Sequence, residues 1–301
     1  MVPRTPDLQL ERRGACWVGI FRAMASPCEV HLEMKSRKKA EHLLRLAHSE
    51  ALRIESRFSR YREDNIVWTI NNSAGSAVSV DEETARMIDF AEQCFELSEG
   101  LFDITSGVLR RVWRFDGSDT VPSAEAVQEV LRYVGWQKVQ WQQPLLTIPA
   151  GMQLDFGGIG KEYAVDRTVS LLQENADVSL LVNYGGDLHA SAPPRQSESW
   201  RVGIECAQKA NLPAGTLHLK RGALTTSGDA ERFVLKDGIR YGHVLNPLTG
   251  WPASHAPASI TVADATCVEA GVLSTIALLK GPDAESFLDE QGATYWCQRR
   301  D

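Results

Sequence analysis

The sequence predicts an α+β fold, on three observations. Stretches with apolar residues three and four apart alternate with short β-type runs. The second half carries hairpin signals instead of regular βαβ units. Between RFVL and RYGHVL, the segment Lys236-Asp237-Gly238-Ile239 places an Asp-Gly pair, a strong sign of a two-residue hairpin turn.

The elements follow in order. PCEVHLEM alternates apolar and polar residues and reads as a strand. A helix is expected from about Ser36 to Phe58, where Ala40, Leu43, Leu44, Ala47, Ala51, Ile54 and Phe58 form one apolar stripe. A second runs from about Asp81 to Leu97, opened by Asp81 as N-cap, acidic in its first turn and stopped by Gly100. Further helices are expected over Ser123–Tyr133, Gly160–Gln173 and Cys267–Leu279, the last closed by Gly281-Pro282. Between them LLTIP, VSLLVNYG, WRVGIEC, LHLKRGALTTSG, RFVLKDGIRYGHVLN and ASITVAD read as strands. No repeat or low-complexity segment interrupts this order.

Composition narrows the function classes. At 301 residues the chain is long enough for two packed units or one large domain. It is 43% hydrophobic and 24% charged, which fits a folded chain. With 32 Lys+Arg against 39 Asp+Glu its net charge is −7, so broad binding to a nucleic-acid backbone, which needs a basic face, is not expected. Six scattered cysteines without a CxxC pair suit neither a disulfide scaffold nor a zinc site, and read as small buried apolar residues. No window approaches the roughly 18 apolar residues of a membrane span. The leader MVPRTPDLQLERRGACW lacks the apolar core of a secretory signal, so the expected location is cytoplasmic.

Four segments could carry chemistry. In Leu154–Asp166 a strand-like run enters Asp155-Phe156-Gly157-Gly158-Ile159-Gly160-Lys161 and a helix leaves it. Small residues there let a backbone approach a ligand, and helix N–H groups with Lys161 favour an anion; a tight turn without ligand is the alternative. It is not a Walker A loop, since Asp155 stands at the first Gly and Glu162 at the Ser/Thr, and no kinase catalytic-loop partner precedes the Asp-Phe-Gly. Asn183-Tyr184-Gly185-Gly186-Asp187 reads as a strand entering a turn, whether a hairpin, a bulge or a ligand contact. Leu224–Phe233 clusters hydroxyls with Asp229, as a polar site or an exposed turn. In Tyr241–Gly250, His243 on an alternating strand is a candidate general base or a structural histidine. No GxGxxG dinucleotide fingerprint occurs.

Taken in order, these segments resemble the ApbE family of FAD:protein FMN transferases, also described as thiamine-biosynthesis lipoproteins. The likeness runs from Phe21-Arg22-Ala23-Met24-Ala25-Ser26 through Phe58–Asn65, Gly100–Gly107, the four segments above and Ala270–Thr275, about residues 20–280. It implies an α+β fold of two T-fold-like halves forming one body, with a single domain over 20–290 and an N-terminal extension over 1–19. FAD is expected between structural elements. The implied activity is Mg2+-assisted transfer of FMN from FAD to a Thr or Ser of a target flavoprotein, with release of AMP. The implied FAD-contacting residues are Met24, Tyr61, Leu101, Phe102, Asp103, Asp155, Lys161 and Leu245. His243 is the implied catalytic residue, and the main-chain carbonyl of Gly158 with Thr275 the implied metal ligands. Relatives of this kind are often periplasmic enzymes or lipoproteins.

Three departures from the family pattern bear on function. Ala25 replaces a glycine after Met24, a mild change if the backbone is extended there. Asn246 stands where an Asp is common, removing a charge near His243. Gly271 occupies the position of the metal-ligating Asp, four residues before Thr275. Glu269 points about 200° away around a helix, and Asp264 would lie about 16 Å before Thr275 along its axis. Mg2+ ordinarily takes one or two carboxylates with phosphate oxygens and waters, so its binding should weaken unless the register of the resemblance is shifted here or another carboxylate, such as Asp187 or Asp229, compensates. Gly271→Asp is then expected to tighten it. The alternatives to transfer are FAD binding with transfer lost through Gly271, or Mg2+-dependent cleavage of FAD by water.

Overall fold

The computed structural model describes residues 8–116, 118–207, 213–229 and 232–300. In chain order its first elements are β1 (Gln9–Arg13), β2 (Cys16–Ala23), β3 (Ser26–Glu33), α1 (Arg37–Phe58), α2 (Ile66–Asn71), β4 (Val78–Ser79) and α3 (Glu82–Leu97). A 3-10 segment over Ile104–Arg111 leads to α4 (Ala124–Leu131), β5 (Gln140–Gln142), β6 (Leu145–Thr147) and α5 (Gly160–Asn175). Then come β7 (Leu180–Tyr184), β8 (Asp187–Ala190), β9 (Trp200–Glu205), β10 (Pro213–Leu219), β11 (Gly222–Gly228), β12 (Phe233–Lys236) and β13 (Ile239–Gly242). The chain closes with β14 (Ser259–Asp264), α6 (Cys267–Lys280), α7 (Ala284–Glu290) and β15 (Thr294–Gln298). The fold is α+β.

The chain gathers into two compact units. One holds the residues up to Ser56, Ile159–Thr226 and Thr261–Gly271; the other holds Arg57–Gly158, Ser227–Ile260 and the residues from Val272 on. The main sheet has the order β1-β2-β3-β7-β8-β11-β14-β15. In the first unit β2–β3, β3–β7, β7–β8 and β8–β11 are antiparallel neighbours, with Val30 opposite Val182. The alternation in β3 buries Cys28, Val30 and Leu32 on one face, as its sequence pattern requires. The apolar stripe of α1 covers the sheet so closely at Gly19 that a Cβ there would strike the Leu44 side chain. Thr168 of α5 hydrogen-bonds the Tyr184 hydroxyl at 2.9 Å beneath β7.

The second unit packs the 3-10 segment and α4 around Val108, Leu109, Trp113, Val130 and Val134, with Tyr241, Leu245 and Trp251 against that cluster. Trp113 Nε1–H donates to the Gly250 carbonyl at 2.8 Å, tying the cluster to the Pro247–Gly250 turn. Short sheets β4-β6-β5 and β12-β13 complete it.

The expected helices form with their caps: Asp81 accepts from Glu83 and Thr84 N–H, and Ser123 from Ala126 N–H. The β12–β13 turn has Asp237 at φ 52° and Gly238 at φ 78°, the left-handed pair an Asp-Gly turn supplies. Asn183–Asp187 is the hairpin joining β7 to β8, with Gly185 and Gly186 at φ 61° and 97°. Residues 9–13 pair with 16–20, so the described part of the N-terminal extension is already sheet. Residues 1–7 of that extension, and 230–231 of the 224–233 segment, lie outside the described residues.

The mild reading of Ala25 does not hold. The β2–β3 turn places Met24 at φ 52° and Ala25 at φ 58°, so the backbone is left-handed there, not extended. A Cβ in that region costs about 1–2 kcal/mol, which glycine avoids. Ala25→Gly should therefore raise the free energy of unfolding by roughly 0.5–1 kcal/mol after the added freedom of the unfolded chain is deducted. Guanidinium titration measures this, and an unchanged or lower midpoint would refute it.

Candidate functional site

In the first unit the side chains of interest converge on the first turn of α5. Ile159 precedes that helix without a side-chain cap, and Lys161 and Glu162 follow. Lys161 reaches across to the β7–β8 turn, where its Nζ lies 2.6 Å from Asp187 Oδ2. The Asp187 side chain is 4% exposed and that of Lys161 29%, so the carboxylate is out of water while the ammonium keeps one side open to it. The same ammonium is 3.7 Å from the Cβ position of Gly185, whose N–H bonds the Pro27 carbonyl at 2.9 Å. The Met24-Ala25 turn adjoins, tied by Ser26 Oγ–H to the Met24 carbonyl at 3.2 Å. Met24 and Lys161, both implied FAD contacts, thus sit around one pair of turns.

Glu162 lies on the buried stripe of α5, in register with Val165, Val169 and Leu172. Its Oε2 is buried without a hydrogen-bond partner, a condition that costs about 1–3 kcal/mol. Burial, and then the charge of Asp187, push its carboxyl well above the usual carboxylate range against the pull of Lys161. Burial alone would lower the Lys161 pKa, but Asp187 and Glu162 outweigh it and the shift is upward.

Position 271 is filled in an unexpected way. A Cβ on Gly271 would lie 2.6 Å from Glu162 Cγ, 3.3 Å from its Cδ and 3.4 Å from Oε1. The Glu162 side chain therefore occupies the space that any side chain at 271 would need. One turn further along α5, Asp166 accepts from Cys267 N–H at 2.9 Å and Val268 N–H at 3.0 Å, capping α6 from outside, and holds His189 Nδ1 at 2.6 Å. Glu162 and Asp166 are one turn apart on α5, as Gly271 and Cys267 are on α6, so the cap sets the register that brings Glu162 to Gly271. Gly271→Asp therefore meets a filled space, against the expectation that it simply restores a ligand.

Sequence reading assigned no role to Glu162 or Asp166. The available signal was a carboxylate on an apolar helix stripe. Of the compensating carboxylates considered, Asp187 is held by Lys161, while Asp229 in the second unit is engaged by Arg240 and Arg300.

The second unit positions the remaining residues. Asp155 Oδ2 pairs with Arg60 Nη1 at 3.0 Å, and Asp155 Oδ1 accepts from Gly157 N–H at 2.9 Å, which shapes the glycine turn. Arg60 also donates to the Gly107 carbonyl at 2.6 Å; a Cβ at Gly107 would lie 2.5 Å from that of Asp155. Asp103 is buried and turned inward, Oδ1 accepting from the Thr105 N–H and hydroxyl at 2.7 Å and Oδ2 from Trp136 N–H at 3.0 Å. Both carboxylates thus brace the local backbone.

The Phe102 ring lies 3.3 Å from the Cβ position of Gly158, beside half-buried Leu101. Tyr61 is 79% exposed, with the Arg60 guanidinium 5.9 Å from its ring centre, and offers an open aromatic face. Thr275 and Ser274 both meet Ser227 Oγ, at 3.0 and 2.8 Å. Leu245 packs on the Trp113 cluster and bridges to Pro252. Asn246 Oδ1 accepts from Leu248 N–H at 2.8 Å, a turn-forming bond that needs no charge.

His243 is half-buried, its Nδ1 3.2 Å from the Arg232 carbonyl. That acceptor places the proton on Nδ1 and leaves the Nε2 lone pair available. Burial, with Arg110 and Arg232 nearby, pushes its pKa down to about 4 despite Asp229 and the Arg232 carbonyl, so the ring is neutral at pH 7. Among the described residues no group of three or more His, Cys, Asp or Glu side chains is placed to hold a metal, and no helix is long and apolar enough to cross a membrane.

Comparison with known proteins gives a consistent picture. The model of the ApbE family matches residues 24–296. The chain is similar to the FAD:protein FMN transferase of Treponema pallidum, at 31% identity over 244 residues, spanning 74% of this chain and 67% of that protein. Among solved structures it is similar to the ApbE protein of Thermotoga maritima, with a TM-score of 0.86 at 29% identity over 94% of each chain. The apo flavinyl transferase ApbE of Pseudomonas stutzeri gives a TM-score of 0.84 at 27% identity over 98% of this chain and 93% of that one.

The shared space of Glu162 and Gly271 makes a stability prediction. Gly271→Ala should cost roughly 1–3 kcal/mol through overpacking. In a Glu162→Gly background the same change should be neutral, or stabilising by up to about 1 kcal/mol as alanine favours the helix. A double-mutant cycle in urea reads the coupling, and additive effects would show that the two positions do not compete for space.

Proposed function

The chain belongs to the ApbE family, and from that membership we propose that it is an FAD:protein FMN transferase. Its reaction moves FMN from FAD to a Thr or Ser of a target flavoprotein and releases AMP. The observation that carries the reading is a family match over residues 24–296 that includes every residue the resemblance assigns to FAD, metal or catalysis.

The roles proposed for the residues follow from their surroundings. Tyr61, with its open ring, is suited to stacking on an aromatic part of FAD. Lys161, held by Asp187 beside the Gly185-Gly186 turn, offers a fixed positive charge to the pyrophosphate. Leu101, Phe102, Leu245 and Met24 contribute apolar surface, while Asp103 and Asp155 act by bracing the backbone that presents it.

In the proposed step the acceptor hydroxyl oxygen attacks the FMN phosphorus, forming the new phosphoester as the pyrophosphate P–O bond to AMP breaks. The hydroxyl proton passes to Nε2 of His243, which is neutral at pH 7 and so able to receive it. AMP departs with the bonding electron pair on its phosphate oxygen.

The donors proposed are oxygens, as a hard cation requires, and the buried Oε2 of Glu162, which lacks a hydrogen-bond partner, supports a carboxylate contribution. Mg2+, when bound, supplies Lewis-acid polarisation of the pyrophosphate, held through the Gly158 carbonyl and the Thr275 hydroxyl. The alternative in which transfer is lost drew on Gly271 leaving its position without a carboxylate. Glu162 in that space weighs against it.

The test is incubation of the protein with FAD and Mg2+, with and without a Thr-bearing acceptor, quantifying AMP and covalent flavin. The expected result is AMP in step with flavin on the acceptor. His243→Ala should lower the rate by about 10²–10⁴-fold while FAD still binds. AMP formed equally without acceptor would make the protein a pyrophosphatase, and bound FAD with no AMP would reduce it to a flavin-binding protein.

A further inference from the structure

We propose that Glu162 is the carboxylate through which this chain holds its divalent cation, serving from the first turn of α5 in place of the side chain that Gly271 of α6 lacks. The inference rests on the transferase reading for the cation's purpose, but its observations are independent of that reading.

The first is spatial exclusion. A Cβ at 271 would lie 2.6 Å from Glu162 Cγ, and the Glu162 carboxyl atoms Cδ and Oε1 lie 3.3 and 3.4 Å from that point. The carboxyl group thus ends in the volume into which a short side chain at 271 would project. A Glu on α5 and a Gly on α6 form a reciprocal pair, and a carboxylate on either helix would fill the same place.

The second observation is an unmet need. The Oε2 atom of Glu162 is buried, yet it has no hydrogen-bond partner, and native structures rarely leave such an atom unsatisfied. Lys161 Nζ is committed to Asp187 at 2.6 Å, and the contact Glu162 makes with the Asp187 carboxyl can be a hydrogen bond only while one of the two acids keeps a proton. Two acidic side chains therefore share one ammonium. A hard divalent cation answers both the charge and the free oxygen, and Mg2+ needs only one or two carboxylates from a protein.

The third is placement. Asp166 anchors the start of α6 to α5 through Cys267 and Val268 N–H, so the Glu162 side chain is set opposite Gly271 by a second carboxylate one turn away. A carboxylate held in that fashion is pre-oriented, as a ligand to a hard cation should be.

The test is a titration of the full chain with Mn2+ alone, bound ion being read by electron paramagnetic resonance. Wild type should bind one ion, and Glu162→Gln should weaken that binding by at least about tenfold. The exchange Glu162→Gly with Gly271→Asp, which returns a carboxylate to the same space from α6, should regain most of the loss. Circular dichroism establishes that each variant is folded; if Glu162→Gln is not, the exchange variant decides alone. Unaltered Mn2+ affinity in Glu162→Gln, no binding by wild type, or a folded exchange variant that binds no Mn2+ would each overturn the proposal. Metal-free FAD binding, followed by flavin fluorescence on the same samples, keeps the two readings apart. Failure of wild type to bind FAD removes the transferase reading and leaves the Mn2+ result standing.

Discussion

Three ionisable groups gathered at the first turn of α5 set the constraint on which the rest of this part of the candidate site depends. Lys161, Glu162 and Asp187 meet there, with a single, partly exposed ammonium for two carboxyl groups. With both acids ionised the set would be one positive charge short, and burial beside Asp187 instead makes Glu162 hold its proton more tightly. The surrounding structure is arranged around that imbalance. The β7–β8 turn with its two left-handed glycines brings Asp187 to Lys161, and Asp166 holds α6 in the register that leaves Gly271 open to Glu162.

The second unit follows a different logic, in which carboxylates serve the backbone. Asp155 and Arg60 clamp the glycine turn to the Gly107 carbonyl, and Asp103 holds the 3-10 segment to Trp136. Such bonds satisfy buried N–H groups that irregular chain would otherwise leave unpaired. The residues left facing outward are of another kind: the Tyr61 ring and half-buried Leu101, suited to a flat apolar partner, and His243 with one free nitrogen.

Much of this was legible in the sequence, and for identifiable reasons. The stripe from Ala40 to Phe58, the cap Asp81, the helix start at Ser123 and the Asp237-Gly238 turn are local signals, each fixed by neighbours within a few residues. The order of motifs carried the family. What escaped was set by tertiary contact. Strands β1 and β2, which no alternating pattern announced, form because they complete the sheet edge beside β3. The left-handed Met24-Ala25 turn lacks the glycine that announces such geometry. Short α2 and α7 offer too few turns for a periodic pattern. The reciprocity of Glu162 and Gly271 joins two helices far apart in the chain, so each residue alone looked like a local irregularity.

A missing carboxylate at one position, read along the chain, suggested a weakened metal site; in space, the neighbouring helix supplies one. The most direct test is anomalous diffraction from crystals of the protein grown with FAD and Mn2+. The account predicts a manganese peak bonded to a Glu162 carboxylate oxygen. A peak whose ligands exclude Glu162, or clear flavin density with no manganese, would contradict it.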